Sequence, residues 1–369
     1  MLSKMLEPIS PPKLATHTMQ KEEAIALLKK LIATPSFSKE ENHSADLIEH
    51  FLQNKQIQVH RQGNNVWCRN RCYNPLLPTI LLNSHHDTVK PNSGYTLNPF
   101  EAIENEGKLY GLGSNDAGAS LVSLMATFLH FYADENLKYN LIFSATAEEE
   151  ISGKDGVASI LEHLGRIDFA VVGEPTEMNL AIAEKGLIVL DCISYGTAAH
   201  AAHDHPDNAI INALPDLLWF RDYRFPKKSH LLGEVKMNVS LINAGTQHNV
   251  IPNRCEFTVD IRTTDVYRNE EVVDIIKQNV SCDIQPRSIL LNSSSIDIQH
   301  PLVQAGISLG RLIYGSPTSS DMAVMNFPSV KVGPGNSLRS HRSDEFVFLN
   351  EIEEGITIYI KMLSKMIYQ

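Results

Sequence analysis

A chain of 369 residues exceeds one ordinary domain and predicts two. Hydrophobic and charged shares of 43% and 20% are those of a soluble globular protein, and the formal net charge of -11 excludes the basic face that nucleic acid or an anionic membrane would require. Five scattered cysteines, Cys68, Cys72, Cys192, Cys255 and Cys282, are an odd set that implies reduced thiols and a cytoplasmic setting.

In chain order, the first eighteen residues carry Lys4, Pro8, Pro11, Pro12 and Lys13 without an apolar run long enough for a signal peptide, and read as a flexible tail. No later stretch is apolar enough to cross a membrane. Ala24, Leu27, Leu28, Leu31 and Ile32 recur at helical spacing, so a helix is expected to end near Thr34 and Pro35. Ser38 and Glu41 suggest a capping box for a second helix burying Leu47, Ile48, Phe51 and Leu52. Strands follow around residues 66–69 and 79–83, the second running into Ser84-His85-His86-Asp87. A glycine-rich turn through Asp116 and Gly118 leads to an apolar helix with Leu121, Leu124, Met125 and Leu129. The strand from Leu141 ends in Glu148-Glu149-Glu150, a helix near residues 156–164 follows, and the strand Phe169 to Val172 ends in Gly173-Glu174-Pro175-Thr176. Alternating strand and helix predict an α/β fold, a largely parallel sheet with helices on both faces.

From about residue 184 the pattern changes. A strand at 187–194, a helix at 206–220 interrupted at Pro215, alternating strands at 235–241 and 254–262, a helix at 270–280 capped by Asn269 and a strand near 284–290 give a β-α-β-β-α-β order. This predicts a ferredoxin-like α+β unit at 184–292 inserted into a larger domain of 1–183 and 293–369. The larger domain resumes with a helix at 302–312, a strand at 329–332, the loop from Gly333 to His341 and a helix from Glu351 to Met366.

Three adjacent glutamates at a strand end repel one another unless water solvates them or a cation compensates them; alone they read as a solvated helix start. Carboxylate and imidazole recur at other strand ends, at His85, Asp87, Asp116 and Glu174, with His341 in a later loop. In an open α/β sheet such ends share one crevice. Imidazole and carboxylate without thiolate suit zinc, cobalt or manganese in a hydrolytic site. Cys68 and Cys72 lack a second cysteine pair and read as incidental.

His85-x-Asp87, Gly111-x-Gly113-x-x-Asp116, Glu149-Glu150, Gly173-Glu174-Pro175-Thr176, Gly196-x-x-x-His200, Asn249-x-x-Pro252 and Gly333-Pro-Gly335 followed by His341 occur in one order. Together they resemble the motifs of the M20 metallopeptidase and amidohydrolase family, which includes acetylornithine deacetylase, succinyl-diaminopimelate desuccinylase, aminoacylase and carboxypeptidase G2. The resemblance implies a catalytic α/β domain with an inserted dimerisation domain, and a homodimer. It implies two divalent ions, zinc or cobalt, bridged by Asp116, with His85 and Glu174 on one and Glu150 and His341 on the other. Asp87 would orient His85 through its far nitrogen, Glu149 would be the general base, and His200 would reach the oxyanion in the partner subunit's site. Arg262, with Asn249, would bind a substrate carboxylate; a surface ion pair is the other reading of Arg262. His203 and His205 read as surface histidines beside a helix starting at Pro206. Ser84, where relatives commonly have Gly, and the absence of a lysine two positions after Asp116 mark a divergent branch. Relatives often hold a cis peptide at the position of Asp116-Ala117. The activity implied is removal of an acyl group, acetyl first, from an N-acyl amino acid such as N-acetylornithine or N-acetylcitrulline, in arginine biosynthesis. A desuccinylase, dipeptidase or aminoacylase of the same family is the enzymatic alternative, and a metal-stabilised binding protein the non-catalytic one.

Overall fold

The computed structural model describes residues 18–203 and 207–368. The N-terminal tail, except Thr18, lies outside them, as do His205 and Pro206. A nine-stranded mixed sheet forms the larger body. Its path is Val59–Gln62, Asn65–Arg69, Asn140–Thr146, Thr79–His85, Phe169–Val172, Ser329–Lys331, Leu180–Glu184 and Ser294–Ser295, with Ile313–Ser316 also on Leu180–Glu184. The centre is parallel: Thr79–His85 runs parallel to Asn140–Thr146 and to Phe169–Val172, which in turn is parallel to Ser329–Lys331. Both margins hold antiparallel pairs, which apolar runs alone do not distinguish from parallel ones. All residues of Thr79–His85 and Asn140–Thr146 are buried, as strands covered on both faces require.

Helices Lys21–Ile32 and Ala119–Phe131 and the last helix, Leu349–Ile367, share one core with this sheet. Leu28, Leu82, Leu124 and Phe143 are fully buried there, each stabilising the fold by about 1.5–3 kcal/mol. The last helix extends past both expected ends; the helix expected at 302–312 is shorter, Pro301–Ser308. A small antiparallel sheet of Ile103–Asn105, Lys108–Tyr110 and Phe346–Phe348 brings the segment after His341 beside the turn before Asp116.

The chain leaves the large sheet at Glu184 and continues at Gly186–Tyr195 in a four-stranded antiparallel sheet of order Lys236–Ala244, Arg254–Thr263, Gly186–Tyr195, Asp283–Pro286. Its core includes Cys255, Phe257, Val259 and Ile261, the positions assigned inward by alternation. Helix Ala209–Asp222 continues through Pro215, which removes one donor without ending the helix. Strand Lys236–Ala244 is irregular between Val239 and Leu241, so its alternation breaks and Leu241 and Ile242 both stay exposed. Asn269 is not the cap of its helix, whose N-cap is Arg268; it is buried, its amide donating to Ile289 O (3.2 Å) and Leu291 O (2.8 Å) and its oxygen accepting from Thr263 Oγ1 (2.7 Å).

Candidate metal centre

Parallel strands that end on the same side carry their tip residues to one place whatever their separation in the chain. Strand Thr79–His85 ends in His85, Asn140–Thr146 leads to Glu149 and Glu150, and Phe169–Val172 leads to Glu174. Asp116 comes from the turn before Ala119–Phe131, where Gly113 takes the left-handed φ of 74° that a side chain would disfavour. The Asp116-Ala117 peptide is cis.

Asp116 stands between two histidines. Its Oδ1 is 3.4 Å from His85 Nε2 and its Oδ2 is 3.5 Å from His341 Nε2. His85 Nε2 is also 3.6 Å from Glu174 Oε1, and His341 Nε2 is 2.9 Å from Glu150 Oε2. Two groups able to hold a cation result, His85–Asp116–Glu174 and Asp116–Glu150–His341, each with its ligand atoms within 4.8 Å of one another. Asp116 belongs to both. No cysteine joins either group, and the five thiols are free.

The surroundings are rich in buried negative charge. Burial pushes Glu174 up to about 8, with Asp116 and Glu150 adding repulsion. Glu149 lies well above the usual carboxylate range, chiefly through burial and then through Glu174, Asp321 and Glu150. Burial works against a charged His85, but its bonds to Asp116 and Asp87 outweigh that and raise it. His341 is pushed up to about 9, first by its hydrogen bond to Glu150. The carboxylates draw both imidazoles toward their protonated form, a concentration of negative charge that two divalent cations would compensate more fully, and the oxygen and nitrogen donors fit such ions.

Supporting residues differ in part from expectation. His85 Nδ1 lies 3.0 Å from the backbone oxygen of Asp87 and 3.4 Å from its Oδ1. The Asp87 carboxylate also accepts from Ser38 Oγ (2.7 Å), Glu149 N (3.1 Å) and Glu150 N (3.2 Å), so it orients the glutamate pair as well as the imidazole. Ser38 and Glu41 therefore make no capping box. Glu41 Oε1 accepts from Lys39 N (2.6 Å) and from Glu148 N (3.3 Å), far along the chain.

Two residues absent from the sequence assignment matter here. Glu345 is buried and accepts from Gly113 N (3.2 Å), Asn115 N (2.8 Å) and Asp116 N (2.9 Å), fixing the turn that presents Asp116. Asp321, also buried, accepts from Asn83 Nδ2 and Thr146 Oγ1, both at 2.7 Å. Neither carries a periodic signal, although Asp321 closes the serine-rich loop 316–321.

Glu149, Glu150 and His341 line two adjoining cavities of about 300 and 260 Å³. The first also holds Arg262, whose guanidinium makes a two-point pair with Asp260 (2.9 and 3.0 Å). The second also holds Asp116 and Glu174. His200 and Asn249 line neither. His200 lies exposed on the two-stranded ribbon Ala199–His200 with Val250–Ile251, and Asn249 in the turn just before Val250, its O accepting from Ala201 N (3.0 Å). His203, also exposed, lies near His200 with ring centroids 5.6 Å apart and the rings tilted by 53°.

The model of peptidase family M20/M25/M40 matches residues 81–365. A succinyl-diaminopimelate desuccinylase of Hahella chejuensis is 25% identical, over 93% of this chain and 97% of its own. Among solved structures, an M20 family metallo-carboxypeptidase of Sulfolobus solfataricus superposes with a TM-score of 0.74 at 15% identity, over 94% of this chain and 99% of that one. A Bacillus subtilis protein described as a dinuclear metal-binding peptidase of family M20 gives 0.70 at 16% identity, over 93% and 97%. The chain belongs to peptidase family M20/M25/M40, a family of metal-dependent hydrolases acting on amide bonds.

Proposed function

We propose that the protein hydrolyses the amide bond of an N-acyl amino acid, with Glu149 as general base and Arg262 as anchor for the substrate α-carboxylate. The observation that carries this is the wall of Glu149, Glu150 and His341 shared by two cavities, which allows a scissile amide to lie across it with one half of the substrate on each side. His85, Asp116 and Glu174 would hold one divalent cation, and Asp116, Glu150 and His341 a second. Zinc, with cobalt as a substitute, would supply the Lewis acidity that acidifies a water and polarises the amide carbonyl. Glu149 lies outside both ligand groups and half-buried beside them, so its carboxylate takes the water's proton as the C–O bond forms. The same carboxyl then gives that proton to the departing nitrogen as the C–N bond breaks. Asp87 keeps His85 and the backbone of Glu149 in place during both steps.

With the α-carboxylate on Arg262, the acyl group extends into the second cavity. Tyr314, Ser316, Thr318, Ser337 and Ser340 supply hydroxyl-bearing side chains there. An acetyl group is the compact reading. A succinyl group is favoured by that polar lining and by the name of the Hahella relative. Zinc-loaded protein assayed on acetylated, succinylated and formylated ornithine and citrulline, beside simple dipeptides, is expected to release the amino acid from an acylated substrate. Rapid cleavage of dipeptides with every N-acyl amino acid untouched would make it a dipeptidase instead; no hydrolysis at all would leave a metal-stabilised binding protein. Arg262→Ala should raise KM about 10- to 100-fold with kcat little changed, because the ion pair it removes is made equally in ground and transition states.

We also propose a homodimer formed through the smaller sheet. Strand Lys236–Ala244 is an edge paired on one side only, with Leu241 64% exposed, and helix Ala209–Asp222 exposes Ile211, Leu214 and Leu218. Such pairing would let the ribbon with His200 and Asn249 serve the neighbouring site, which explains why neither residue lines its own. Mixed His200→Ala and Glu149→Ala proteins should recover up to about a quarter of wild-type activity, because half the dimers are hybrids and each hybrid has one complete site. No recovery after demonstrated subunit exchange would rule out action in trans. Free cysteines suit a cytoplasmic location, and among the described residues no helix is long and apolar enough to cross a membrane.

A further inference from the structure

Loop 316–321, Ser-Pro-Thr-Ser-Ser-Asp, walls both cavities through Thr318 and Ser319, yet it has no large apolar side chain with which to pack itself down. Asn83 and Thr146 fix its end at Asp321, and a buried ion pair holds its middle. Glu184, fully buried at the end of its strand, accepts from Ser320 N (3.2 Å) and Ser320 Oγ (2.7 Å) and lies 3.1 Å from Lys331 Nζ. Lys331, 4% exposed and itself part of the second cavity's wall, donates to Thr318 O (3.0 Å) and Thr318 Oγ1 (3.3 Å). The pair therefore grips the loop at two points two residues apart. Ser319 between them donates to Lys185 O (2.8 Å).

The same place joins the two sheets. The backbone oxygen of Glu184 accepts from Ser293 Oγ (2.6 Å), on the segment that returns to the large sheet. Gly186 lies so close to that segment that a Cβ would stand 2.6 Å from both Leu291 O and Ser293 N. Leu187 and Leu291, next to these crossings, line the cavity that holds Arg262. Loop, crossings and Arg262 cavity are thus fixed to one another through Glu184.

A buried ion pair is a poor means of stabilising a fold, since well-packed apolar side chains of similar volume serve as well or better. What it supplies here is direction: hydrogen bonds that set the height of Thr318 and Ser320 over the cavities. We propose that Glu184 and Lys331 are positioning residues, which hold the Thr318–Ser320 wall at the spacing from Arg262 that substrate binding requires and so set KM. The assignment rests on the amide hydrolysis proposed above, but the order of the loop can be read without substrate.

Single replacements leave one buried charge unpaired and are expected to fold poorly, so the test uses Glu184→Leu/Lys331→Met, which removes both charges together. Zinc-loaded variant and wild type are compared by melting temperature, metal content, steady-state kinetics on whichever acylated amino acid the wild type cleaves, and hydrogen exchange of loop 316–321. The expected result is a melting temperature and metal content near wild type, kcat within about threefold, KM raised about tenfold or more, and faster exchange confined to the loop. Unchanged loop exchange overturns the clamp. Faster exchange throughout, with melting temperature, kcat and metal content falling together, reduces the pair to a structural one and overturns its positioning role, as does loosened loop exchange with KM unchanged. A wild type that cleaves no N-acyl amino acid fails the proposed function instead, and loop exchange still decides whether the clamp exists.

Discussion

Glu149→Gln is expected to lower kcat by about 10⁴-fold while leaving the metal content unchanged. Glutamine preserves the shape of the side chain but can neither take a proton from water nor deliver one to the leaving nitrogen, so both halves of the reaction fail together. Metal should stay because neither ligand group includes Glu149. The backbone N–H of residue 149 still reaches Asp87, which keeps the neighbouring Glu150 in place. The variant should also be no less stable than wild type when metal-free, since it removes a half-buried carboxyl that Glu174, Asp321 and Glu150 all repel. Hydrolysis near the wild-type rate in this variant would remove Glu149 from the mechanism.

Metal-free protein is expected to lose stability steadily as pH rises from roughly 5 to roughly 9, and zinc to restore it most at the alkaline end. The sign follows from four groups. Burial pushes Glu174 and Glu345 up to about 8 from an ordinary 4.5, and Asp321 up to about 6 from 3.8. The hydrogen bond to Glu150 raises His341 to about 9 from 6.5. Each group is protonated in the fold at pH values where the unfolded chain has already released its proton. The stabilisation each contributes is therefore complete below its ordinary value and lost as pH climbs through its raised one. Asp87 and Asp116 are held below 3.8, burial being outweighed mainly by His85, and act only in more acid solution. Metal must displace the retained protons, so its effect grows with pH. Melting curves of chelator-treated protein at pH 6 and pH 8.5 should differ by roughly 10 °C, with the gap closing on zinc addition. A metal-free melting temperature that is flat or rises with pH over this range would contradict the charge account of the site.

The site was legible wherever an apolar run ends in charge. His85, Glu149, Glu150 and Glu174 each follow a strand of the parallel centre, and parallel strands bring their ends together across any stretch of chain. Asp116 and His341 sit in glycine-bearing turns and were placed by the ordered motifs. Side chains whose partners lie far away in the chain were not legible. Ser38 and Glu41 have the spacing of a local cap, yet Ser38 bonds to Asp87, and Glu41, besides accepting from Lys39 N, reaches Glu148 across 107 residues. Glu345 holds backbone donors 229 to 232 residues away, and Glu184 reaches Ser320 across 136. A carboxylate that satisfies remote N–H groups leaves no periodic trace, because periodicity records only which face of its own element a residue occupies. The antiparallel margins of the large sheet leave no trace in the sequence for a related reason: a buried strand reads alike in either direction.

Zinc-soaked crystals measured at the zinc absorption edge test the central claim most directly. The account predicts two anomalous peaks per chain about 3.5–4 Å apart, with Asp116 contacting both, His85 and Glu174 on one, and Glu150 and His341 on the other. Peaks absent from this cluster, or a single ion with no contact to Asp116, would contradict it.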